Sequence, residues 1–336
     1  MTKPFITGVA STRLTEEERA FLAAERPVGL IIFARNIETP DQIRALTRAF
    51  REAVDDPDAL VLIDQEGGRV ARLTPPTWRA APEMAAFGRL YDRDPATAKE
   101  ALALNCRLLA EDLLELGISV DCVPVLDLQV PGADTIIATR AFHADPDVVA
   151  ALGQVAVDAF LASGVLPVIK HIPGHGRARV DSHTALPHIG TAASQLQATD
   201  FVPFKALADA PAAMTAHICY DAYDAAQCAT LSARVTTDVI RGWIGFDGLL
   251  MTDDLSMGAL DGPMGQRCAA ALAAGCDLLL HCNGRMDEMR AVAAACPDTL
   301  PPQTQARLDR ARAALAQPAG GGAPADAAAR LAALLA

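Results

Sequence analysis

Short apolar runs rich in Val, Ile and Leu recur along most of the chain, and segments rich in Ala, Leu and Glu lie between them. Near-continuous apolar strands that alternate with helices are typical of a parallel sheet covered by helices on both faces. Eight such units in 336 residues predict a single-domain (β/α)8 TIM barrel of the α/β class, with a doubly wound open sheet as the alternative. The predicted strands are residues 5–9, 28–33, 60–63, 119–125, 165–169, 212–216, 249–251 and 277–280, and the predicted helices include residues 40–54, 97–116, 146–163 and 264–274.

One low-complexity stretch interrupts this alternation, QPAGGGAP at residues 317–324. Glycine and proline mark the ends of regular structure, so this stretch predicts a linker. An Ala- and Leu-rich helix is predicted after it, at residues 325–335, and we expect that helix to pack on the barrel or on a neighbouring molecule. The predicted domains are the barrel over residues 1–316 and a Gly/Pro linker with a C-terminal helix over residues 317–336.

The charge balance argues against binding to nucleic acid. Lys and Arg number 29 against 41 Asp and Glu, which gives a net charge of −12. The first residues, MTKPFITGVASTRLTEEERAFLA, contain no basic stretch that leads into an apolar run, which predicts no secretory signal. No uncharged apolar stretch approaches the length of a membrane span, so no membrane partner is expected either. These features together predict a cytoplasmic protein.

The eight cysteines lie scattered through the sequence without C-x-x-C spacing. Most of them have apolar neighbours, as in the tripeptide at residues 121–123. Buried, reduced thiols are therefore predicted rather than a disulfide framework or a metal site.

Polar and titratable residues follow the carboxyl ends of several predicted strands. In a barrel these ends share one rim, and catalytic groups come from that rim. A single such residue is more often a structural cap, but the repetition over several strands favours a shared site. The residues concerned are Asp64, Asp127, Lys170, His171, His217, Asp253, Asp254, His281 and Asn283.

Four of the seven histidines lie between positions 171 and 188, within the motif KHIPGHG at residues 170–176 and the segment that follows it. Clustered histidines suggest a metal site, because imidazole is the commonest metal ligand. His171 and His175 are four residues apart, but a proline and two glycines in the motif break any helix that would place them on one face. No metal is therefore predicted.

The same segment carries an Asp-x-His pair, Asp181 and His183. In an extended chain two residues with this spacing share a face. A carboxylate beside an imidazole fixes the tautomer of the ring and stabilises its protonated form, as proton transfer near neutral pH requires. A second segment, GFDGLLMTDDLSM at residues 245–257, carries Asp253 to the rim on an apolar strand, which suits a nucleophile or a metal ligand. Asp254 is interpreted as a helix N-cap.

Together these segments resemble glycoside hydrolase family 3, and specifically its single-domain bacterial β-N-acetylglucosaminidases of peptidoglycan recycling. The resemblance covers nearly the whole chain, and the combination of KHIPGHG with DSH is specific to this branch. It implies a (β/α)8 fold, which the strand count predicts independently. The matching segments are GLIIFARN at residues 29–36, IDQEGGRVAR at 63–72, KHIPGHG at 170–176, DSH at 181–183, MTAH at 214–217 and the segment 245–257.

The resemblance also implies residue roles. Asp253 corresponds to the nucleophile, His183 to the acid/base, and Asp181 to the carboxylate that pairs with this histidine. The chain departs from the family near Arg140, where IATRAF stands in place of a sequence close to IGxRSF. Many relatives take the acid/base from a second domain, whereas this sequence ends near the eighth barrel unit, which favours the loop histidine. The implied sugar-contacting residues are Asp64, Arg72, Arg140, Lys170 and His171.

The implied activity is that of a retaining exo-β-N-acetylglucosaminidase without a cofactor, which acts through a covalent glycosyl-enzyme. Its implied substrates are small muropeptides in which N-acetylglucosamine is joined to 1,6-anhydro-N-acetylmuramic acid. Within the family, a β-glucosidase type of glycosidase or a glycoside phosphorylase is the main alternative. Two other classes compete: a metal-dependent barrel hydrolase with His171, His175 and Asp253 as ligands, and a non-catalytic sugar-binding barrel that needs Asp64 and Arg72 but not Asp253.

Overall fold

The computed structural model describes residues 2–182, 184–315 and 323–336. Eight parallel strands form a closed barrel, and two short strands pair with each other outside it. Because the last barrel strand pairs with the first, the predicted (β/α)8 barrel is confirmed and the open sheet is excluded. The barrel strands are β1 (Lys3–Thr7), β2 (Pro27–Ile32), β3 (Leu60–Ile63), β4 (Val120–Asp121), β5 (Leu166–Ile172), β7 (Ala212–Thr215), β9 (Leu249–Asp254) and β10 (Leu278–His281), and the outer strands are β6 (His188–Ile189) and β8 (Cys219–Tyr220).

Helices surround the barrel and follow most of its strands. Two predicted helices, residues 40–54 and 146–163, have the predicted bounds, because each begins with a capping side chain followed by proline at the first helical position. A π-helix spans Val235–Ile244. The α-helices of the described residues are α1 (Glu16–Glu25), α2 (Pro40–Val54), α3 (Met84–Tyr91), α4 (Pro95–Glu115), α5 (Pro146–Ser163), α6 (Ala193–Ala198), α7 (Val202–Ala206), α8 (Met264–Ala273), α9 (Met286–Ala295), α10 (Pro302–Leu315) and α11 (Ala327–Leu335).

Three strands differ from their predicted bounds in ways that affect the rim. Strand β4 is shorter than predicted, since Pro124 has no N–H group to donate to a neighbouring strand. Strand β5 extends through Lys170 and His171, and β9 extends through Asp253. The side chains of these three residues are therefore held by the barrel itself rather than by the loops that follow it.

The barrel interior is apolar, and one helix closes its amino-terminal end. Inward-facing residues such as Val28, Leu62 and Met251 form one core cluster with Leu308 and Ala311 of α10. Arg307 of the same helix is paired with Asp247 and Asp277, which precede β9 and β10 at the amino-terminal end of the barrel. Helix α10 therefore covers this end, and among the described residues the carboxyl end of the barrel is the open one.

The C-terminal helix α11 packs on the barrel helix α4. Its Leu331 and Ala327 are buried, and its Arg330 donates a hydrogen bond of 2.7 Å to Glu100 of α4. Residues 316–322, which contain most of the predicted linker, lie outside the described residues. The division into a barrel over residues 1–316 and an appended segment over 317–336 stays a prediction.

Helix α5 is the one helix of the described chain that is long and apolar enough to cross a membrane by length and composition, with a mean hydropathy of 1.3. It carries Asp147 and Asp158 among its eighteen residues. One face of the helix, including Leu152 and Phe160, is buried against the barrel. A core helix satisfies the same criterion, and 39% of α5 is buried in the described structure.

All eight cysteines are buried and free, as the sequence predicts. Burial raises the pKa of every one of these thiols, for example that of Cys228 to about 11 and that of Cys268 to about 12. Since the thiolate is the reactive form, the thiols of the folded protein are chemically inert near neutral pH.

The pH dependence of stability has a specific source in Asp121 of β4. This residue is fully buried, its Oδ1 accepts a hydrogen bond of 2.9 Å from the Gln65 N–H, and its Oδ2 has no partner among the described residues. Burial raises the pKa of Asp121 from 3.8 to about 8. The folded state therefore binds a proton that the unfolded state releases, so this stabilisation is complete below pH 3.8 and is lost as the pH rises towards 8.

We expect Asp121→Asn to stabilise the protein increasingly as the pH rises, because asparagine retains the oxygen acceptor and cannot ionise. Relative to wild type, its free energy of unfolding should increase by about 3–4 kcal/mol more at pH 8 than at pH 5. Urea denaturation of both proteins at the two pH values measures this difference. The same stability change at pH 5 and pH 8 would show that Asp121 does not titrate in this range.

Candidate active site

The open end of the barrel contains a polar cavity of about 420 Å³. It is lined by residues from the carboxyl ends of several strands and from the loops that follow them. Asp181 lies in the described part of the loop after β5, and His183, the next predicted catalytic residue, lies outside the described residues. The other predicted site residues all line this one cavity: Asp64, Arg72, Arg140, Lys170, His171 and Asp253.

Lys170 is the centre of a charged cluster on one wall of the cavity. Its ammonium group lies 2.8 Å from Asp64 Oδ1 and 2.7 Å from Glu66 Oε1, and its side chain is only 2% exposed. Burial by itself would lower the pKa of Lys170, but the two carboxylates outweigh this effect and raise it above the usual range. The ammonium group is therefore charged, and the third of its three hydrogens is left for a ligand.

Asp64 accepts hydrogen bonds from two cations, since its other oxygen lies 3.1 Å from Arg72 Nη2. Burial opposes ionisation, yet Lys170 and Arg72 together hold the pKa of Asp64 below its usual range. The guanidinium of Arg72 also lies over the ring of Phe33, 5.0 Å from its centroid. A carboxylate fixed between two cations can accept hydrogen bonds from sugar hydroxyl groups in a defined direction.

Arg140 lines the cavity, but most of its donors are engaged within the protein. Its Nε and Nη2 each lie 2.8 Å from an oxygen of Glu66, and its Nη1 donates to the Ile136 carbonyl at 3.2 Å. Burial would raise the pKa of Glu66, but Lys170 and Arg140 lower it to about 2. Glu66 is thus a permanent carboxylate that orients two cations, and Arg140 has little remaining capacity to bind a ligand directly.

The adjacent carboxylates Asp253 and Asp254 have different surroundings. Asp254 accepts hydrogen bonds from the Ser256 N–H at 3.0 Å, the Ser256 hydroxyl at 2.6 Å and the Cys282 N–H at 3.1 Å. The prediction that Asp254 caps a helix is wrong, since α8 begins only at Met264 and Asp254 instead links the turn after β9 to the end of β10. Asp253 accepts a hydrogen bond of 2.8 Å from the Asp254 N–H through its Oδ1, and its Oδ2 takes no part in that bond.

Two histidines keep Asp253 ionised. Burial raises the pKa of Asp253, but His217 and His171 outweigh this effect and lower it overall. His217 is buried, and its Nε2 lies 3.0 Å from the Asp254 carbonyl oxygen. Because a carbonyl only accepts, this nitrogen must donate, and the donated bond fixes the backbone beside Asp253.

Asp127 connects the two histidines of the KHIPGHG motif. Its Oδ2 lies 2.7 Å from His171 Nδ1, and its Oδ1 accepts a hydrogen bond of 2.5 Å from the His175 N–H. The rings of His171 and His175 meet edge to face with centroids 5.4 Å apart. Because the Asp127 carboxylate accepts from Nδ1 of His171, that nitrogen carries a proton. Nε2 then carries the lone pair of the neutral ring or the second proton of the charged ring.

The glycines of this motif are required by close packing. A Cβ atom on Gly176 would lie 2.3 Å from the Leu128 carbonyl oxygen. Gly174 has a φ of 144°, and its carbonyl accepts a hydrogen bond of 2.5 Å from the buried Tyr220 hydroxyl. Both positions therefore fix the segment that follows β5 against the barrel.

Each of the two histidines of the motif has one ring nitrogen in a hydrogen bond, while His175 Nδ1 has no partner among the described residues. His171 Nδ1 is bonded to Asp127, and His175 Nε2 lies 3.0 Å from the Ser182 hydroxyl. Within residues 2–182, 184–315 and 323–336, no three His, Cys, Asp or Glu side chains are arranged to hold a metal ion. His171, His175 and Asp253 do not form the ligand set of the metal-dependent alternative.

Asp127 is one of the strand-end residues predicted at the rim, although no role is predicted for it, and Glu66 is not among those residues. Because Glu66 also follows a barrel strand, the criterion that selects Asp64 applies to it as well. What the sequence does not show is the ion pairing of Glu66 with Arg140, which lies 74 residues further along the chain.

Comparison with known proteins gives consistent results. Residues 6–315 match the family model of the glycosyl hydrolase family 3 N-terminal domain. A β-hexosaminidase of Alkalilimnicola ehrlichii is 41% identical over 284 residues, which cover 83% of this chain and 80% of the relative. A β-hexosaminidase of Chromobacterium violaceum is 40% identical over 311 residues, which cover 91% of this chain and 86% of the relative.

Solved structures show the same similarity. NagZ from Neisseria gonorrhoeae, in complex with N-trifluoroacetyl-D-glucosamine, superposes with a TM-score of 0.86 at 30% identity, covering 99% of this chain and 97% of that chain. A glycoside hydrolase family 3 β-N-acetylglucosaminidase from Paenibacillus sp. str. FPU-7 gives a TM-score of 0.87 at 27% identity over 98% of this chain. This chain spans 66% of the Paenibacillus chain.

Proposed function

Since the chain belongs to glycoside hydrolase family 3, we propose that it is a retaining exo-β-N-acetylglucosaminidase. It removes terminal, non-reducing N-acetylglucosamine from peptidoglycan fragments through a covalent glycosyl-enzyme. The observation that carries the proposal is the single cavity in which an ionised Asp253 lies with the charged cluster of Asp64, Arg72 and Lys170. The β-hexosaminidase relatives and the glucosamine-analogue complex of NagZ support the choice of sugar.

Asp253 is the proposed nucleophile, which attacks the anomeric carbon. Its lowered pKa keeps it ionised at neutral pH. The Asp254 N–H holds Oδ1 of Asp253 and leaves Oδ2 outside that bond. Asp254 is unsuited to this role, because three hydrogen bonds hold its carboxylate within its own loop. A carboxylate nucleophile that forms an ester with the sugar gives retention of anomeric configuration.

His183 is the proposed acid/base, with Asp181 as its orienting carboxylate. It protonates the leaving oxygen and then takes a proton from the water that releases the sugar. Glu66, another carboxylate in the cavity, is unsuited to this exchange because its pKa of about 2 keeps it ionised and both its oxygens are bound to cations. The rule that relates carboxylate separation to stereochemistry does not apply where a histidine carries the proton.

The proposed contacts to sugar hydroxyl groups come from Asp64, Arg72, Lys170 and His171, while Arg140 acts mainly through its pairing with Glu66. These groups are fixed by one another before a ligand arrives, so binding does not require them to be ordered. Because these residues and Asp253 line one cavity, the terminal sugar is proposed to bind in contact with both the cluster and the nucleophile.

The proposed substrates are muropeptides that contain N-acetylglucosamine joined to 1,6-anhydro-N-acetylmuramic acid, and such fragments are acidic. Three cations of the cavity, Arg72, Arg140 and Lys170, are paired with Asp64 and Glu66, so the cluster has little excess positive charge. Arg69 is different. It lines the same cavity, donates only to the carbonyl groups of residues 135 and 136, and is paired with no carboxylate of the described chain. We assign the attraction of the acidic part of the substrate to Arg69.

The proposed location is the cytoplasm. Eight buried cysteines without a disulfide are typical of a reducing compartment. Small muropeptides that have been returned to the cell interior would then be the available substrates.

One set of assays separates this proposal from its alternatives. We expect rapid hydrolysis of an aryl N-acetyl-β-glucosaminide and little hydrolysis of the aryl β-glucoside, with no change of rate on addition of phosphate. A preference for the glucoside would favour a β-glucosidase, and a rate that requires phosphate, with sugar phosphate as product, would favour a phosphorylase.

Dialysis against EDTA should leave the rate unchanged, because no three His, Cys, Asp or Glu side chains of the described residues are arranged to hold a metal ion. The measurement is the initial rate before dialysis, after dialysis and after addition of Zn²⁺. Activity that disappears with EDTA and returns with Zn²⁺ would restore the metal-dependent hydrolase as the better interpretation.

A further inference from the structure

Ser182 is a buried residue in an exposed loop. Its relative exposure is 3%, whereas its loop neighbours Arg179, Val180 and Thr184 are exposed. A buried hydroxyl group is unfavourable unless it forms hydrogen bonds. The burial of Ser182 therefore indicates that the loop is attached at this residue.

Ser182 forms two bonds, which lead to two different strands of the barrel. Its hydroxyl group lies 3.0 Å from His175 Nε2, in the segment that follows β5. Its carbonyl accepts a hydrogen bond of 3.1 Å from the Ala259 N–H, in the segment that follows β9. The residue thus links the segment after β5 to the segment that follows Asp253.

The His175 end of this link is rigid. The His175 N–H donates to the buried carboxylate of Asp127, and the His175 carbonyl accepts a bond of 3.1 Å from the Ala178 N–H. The next residue, Gly176, packs so closely on Leu128 that no Cβ atom would fit. Burial and the neighbouring His171 lower the pKa of His175 to about 4, so the ring is neutral at neutral pH and bonds to a hydroxyl as donor or acceptor.

We propose that His175 and Ser182 are positioning residues that fix the backbone between Asp181 and His183 relative to Asp253. The inference rests on the proposed function, in which His183 carries the proton and Asp253 is the nucleophile. Proton transfer requires hydrogen-bond distance to the leaving oxygen, and a displacement of about 1 Å can reduce a rate about 100-fold. His175 and Ser182 also line the cavity, but the role proposed for them is to act through the position of the loop and not to transfer a proton.

The test compares two leaving groups, because loss of position and general loss of structure affect them differently. Ser182→Ala should lower kcat by about 10-fold or more on a β-linked N-acetylglucosamine disaccharide, whose alkoxide leaving group needs a proton. On the nitrophenyl glycoside, whose leaving group scarcely needs one, the loss should be several-fold smaller. The matched control is Ser163→Ala, which also deletes a hydroxyl hydrogen bond, at the end of α5, and should leave both rates unchanged.

A double-mutant cycle tests whether the two residues act through one bond. His175→Ala should show the same dependence on the leaving group, and adding Ser182→Ala to it should cause little further loss. Thermal unfolding of each variant identifies any that fail to fold, in which case Ser182→Ala alone decides the question.

Equal losses on both substrates, or fully additive losses in the double variant, would overturn the positioning role while leaving the proposed function intact. Failure of the wild-type protein to hydrolyse any β-N-acetylglucosaminide would instead overturn the proposed function and this inference together. The two failures are therefore distinguished by the wild-type assay.

Discussion

Asp253→Asn should lower kcat for an aryl N-acetyl-β-glucosaminide by about 10³-fold or more, because the amide can neither form the glycosyl ester nor stabilise the positive charge of the transition state. Asparagine has nearly the same shape as aspartate and can still accept the hydrogen bond from the Asp254 N–H. We therefore expect the dissociation constant of N-acetylglucosamine and the melting temperature to change little. Steady-state kinetics, ligand titration and thermal unfolding of the same preparation measure these three quantities.

Asp254→Asn is the matched control, since it makes the same substitution at the adjacent residue. Asp254 accepts three hydrogen bonds within its loop, so this change should destabilise the turn after β9 and reduce kcat moderately. A slow fluorosugar substrate should label the peptide at Asp253 in the wild-type protein and in Asp254→Asn. A label on Asp254 would reverse the assignment of the two carboxylates.

His183→Ala should reduce the rate on a disaccharide far more than the rate on a nitrophenyl glycoside. A sugar alkoxide is a poor leaving group that needs a proton, whereas nitrophenolate leaves without one. General acid–base catalysis is worth about 10²–10⁴-fold, and the two substrates should differ by a comparable factor. The pH–rate profile of the variant should also lose the branch that titration of the His183 imidazole produces.

Asp181→Asn should give a weaker form of the same pattern, because the imidazole remains but its orienting carboxylate is removed. Comparing wild type, His183→Ala and Asp181→Asn on both substrates separates proton transfer from binding. If His183→Ala loses the same factor on both substrates and keeps the wild-type pH profile, the histidine only binds substrate, and the acid/base must be sought among other groups of the rim.

The barrel and the cavity-lining residues could be predicted because they depend on local pattern. Each apolar strand is a short run of Val, Ile and Leu, and the carboxyl ends of parallel strands necessarily meet at one rim. That rule places Asp64, Lys170 and Asp253 in one cavity even though they are far apart in the sequence. The start of α2 can equally be predicted from adjacent residues, since Thr39 caps the helix and Pro40 is its first residue.

The interactions between these side chains could not be predicted, because they depend on distances across the rim. Nothing in the sequence distinguishes Arg140, which is bonded to Glu66, from Arg72, which is bonded to Asp64 and faces the ring of Phe33. Asp253 and Asp254 are adjacent, and the resemblance to the family is what separates them in the sequence. The three hydrogen bonds that commit the Asp254 carboxylate to its own loop could not be predicted.

Closure of the amino-terminal end of the barrel by α10 limits how successive turnovers can follow one another. With Leu308 and Ala311 packed into the interior, the described residues leave no passage through the amino-terminal end, so substrate, leaving group, water and released sugar all pass at the carboxyl end. A polymer cannot thread through such a cavity, so the shortened product has to dissociate before the next sugar can bind. We expect distributive rather than processive action, and competitive inhibition by the monosaccharide product.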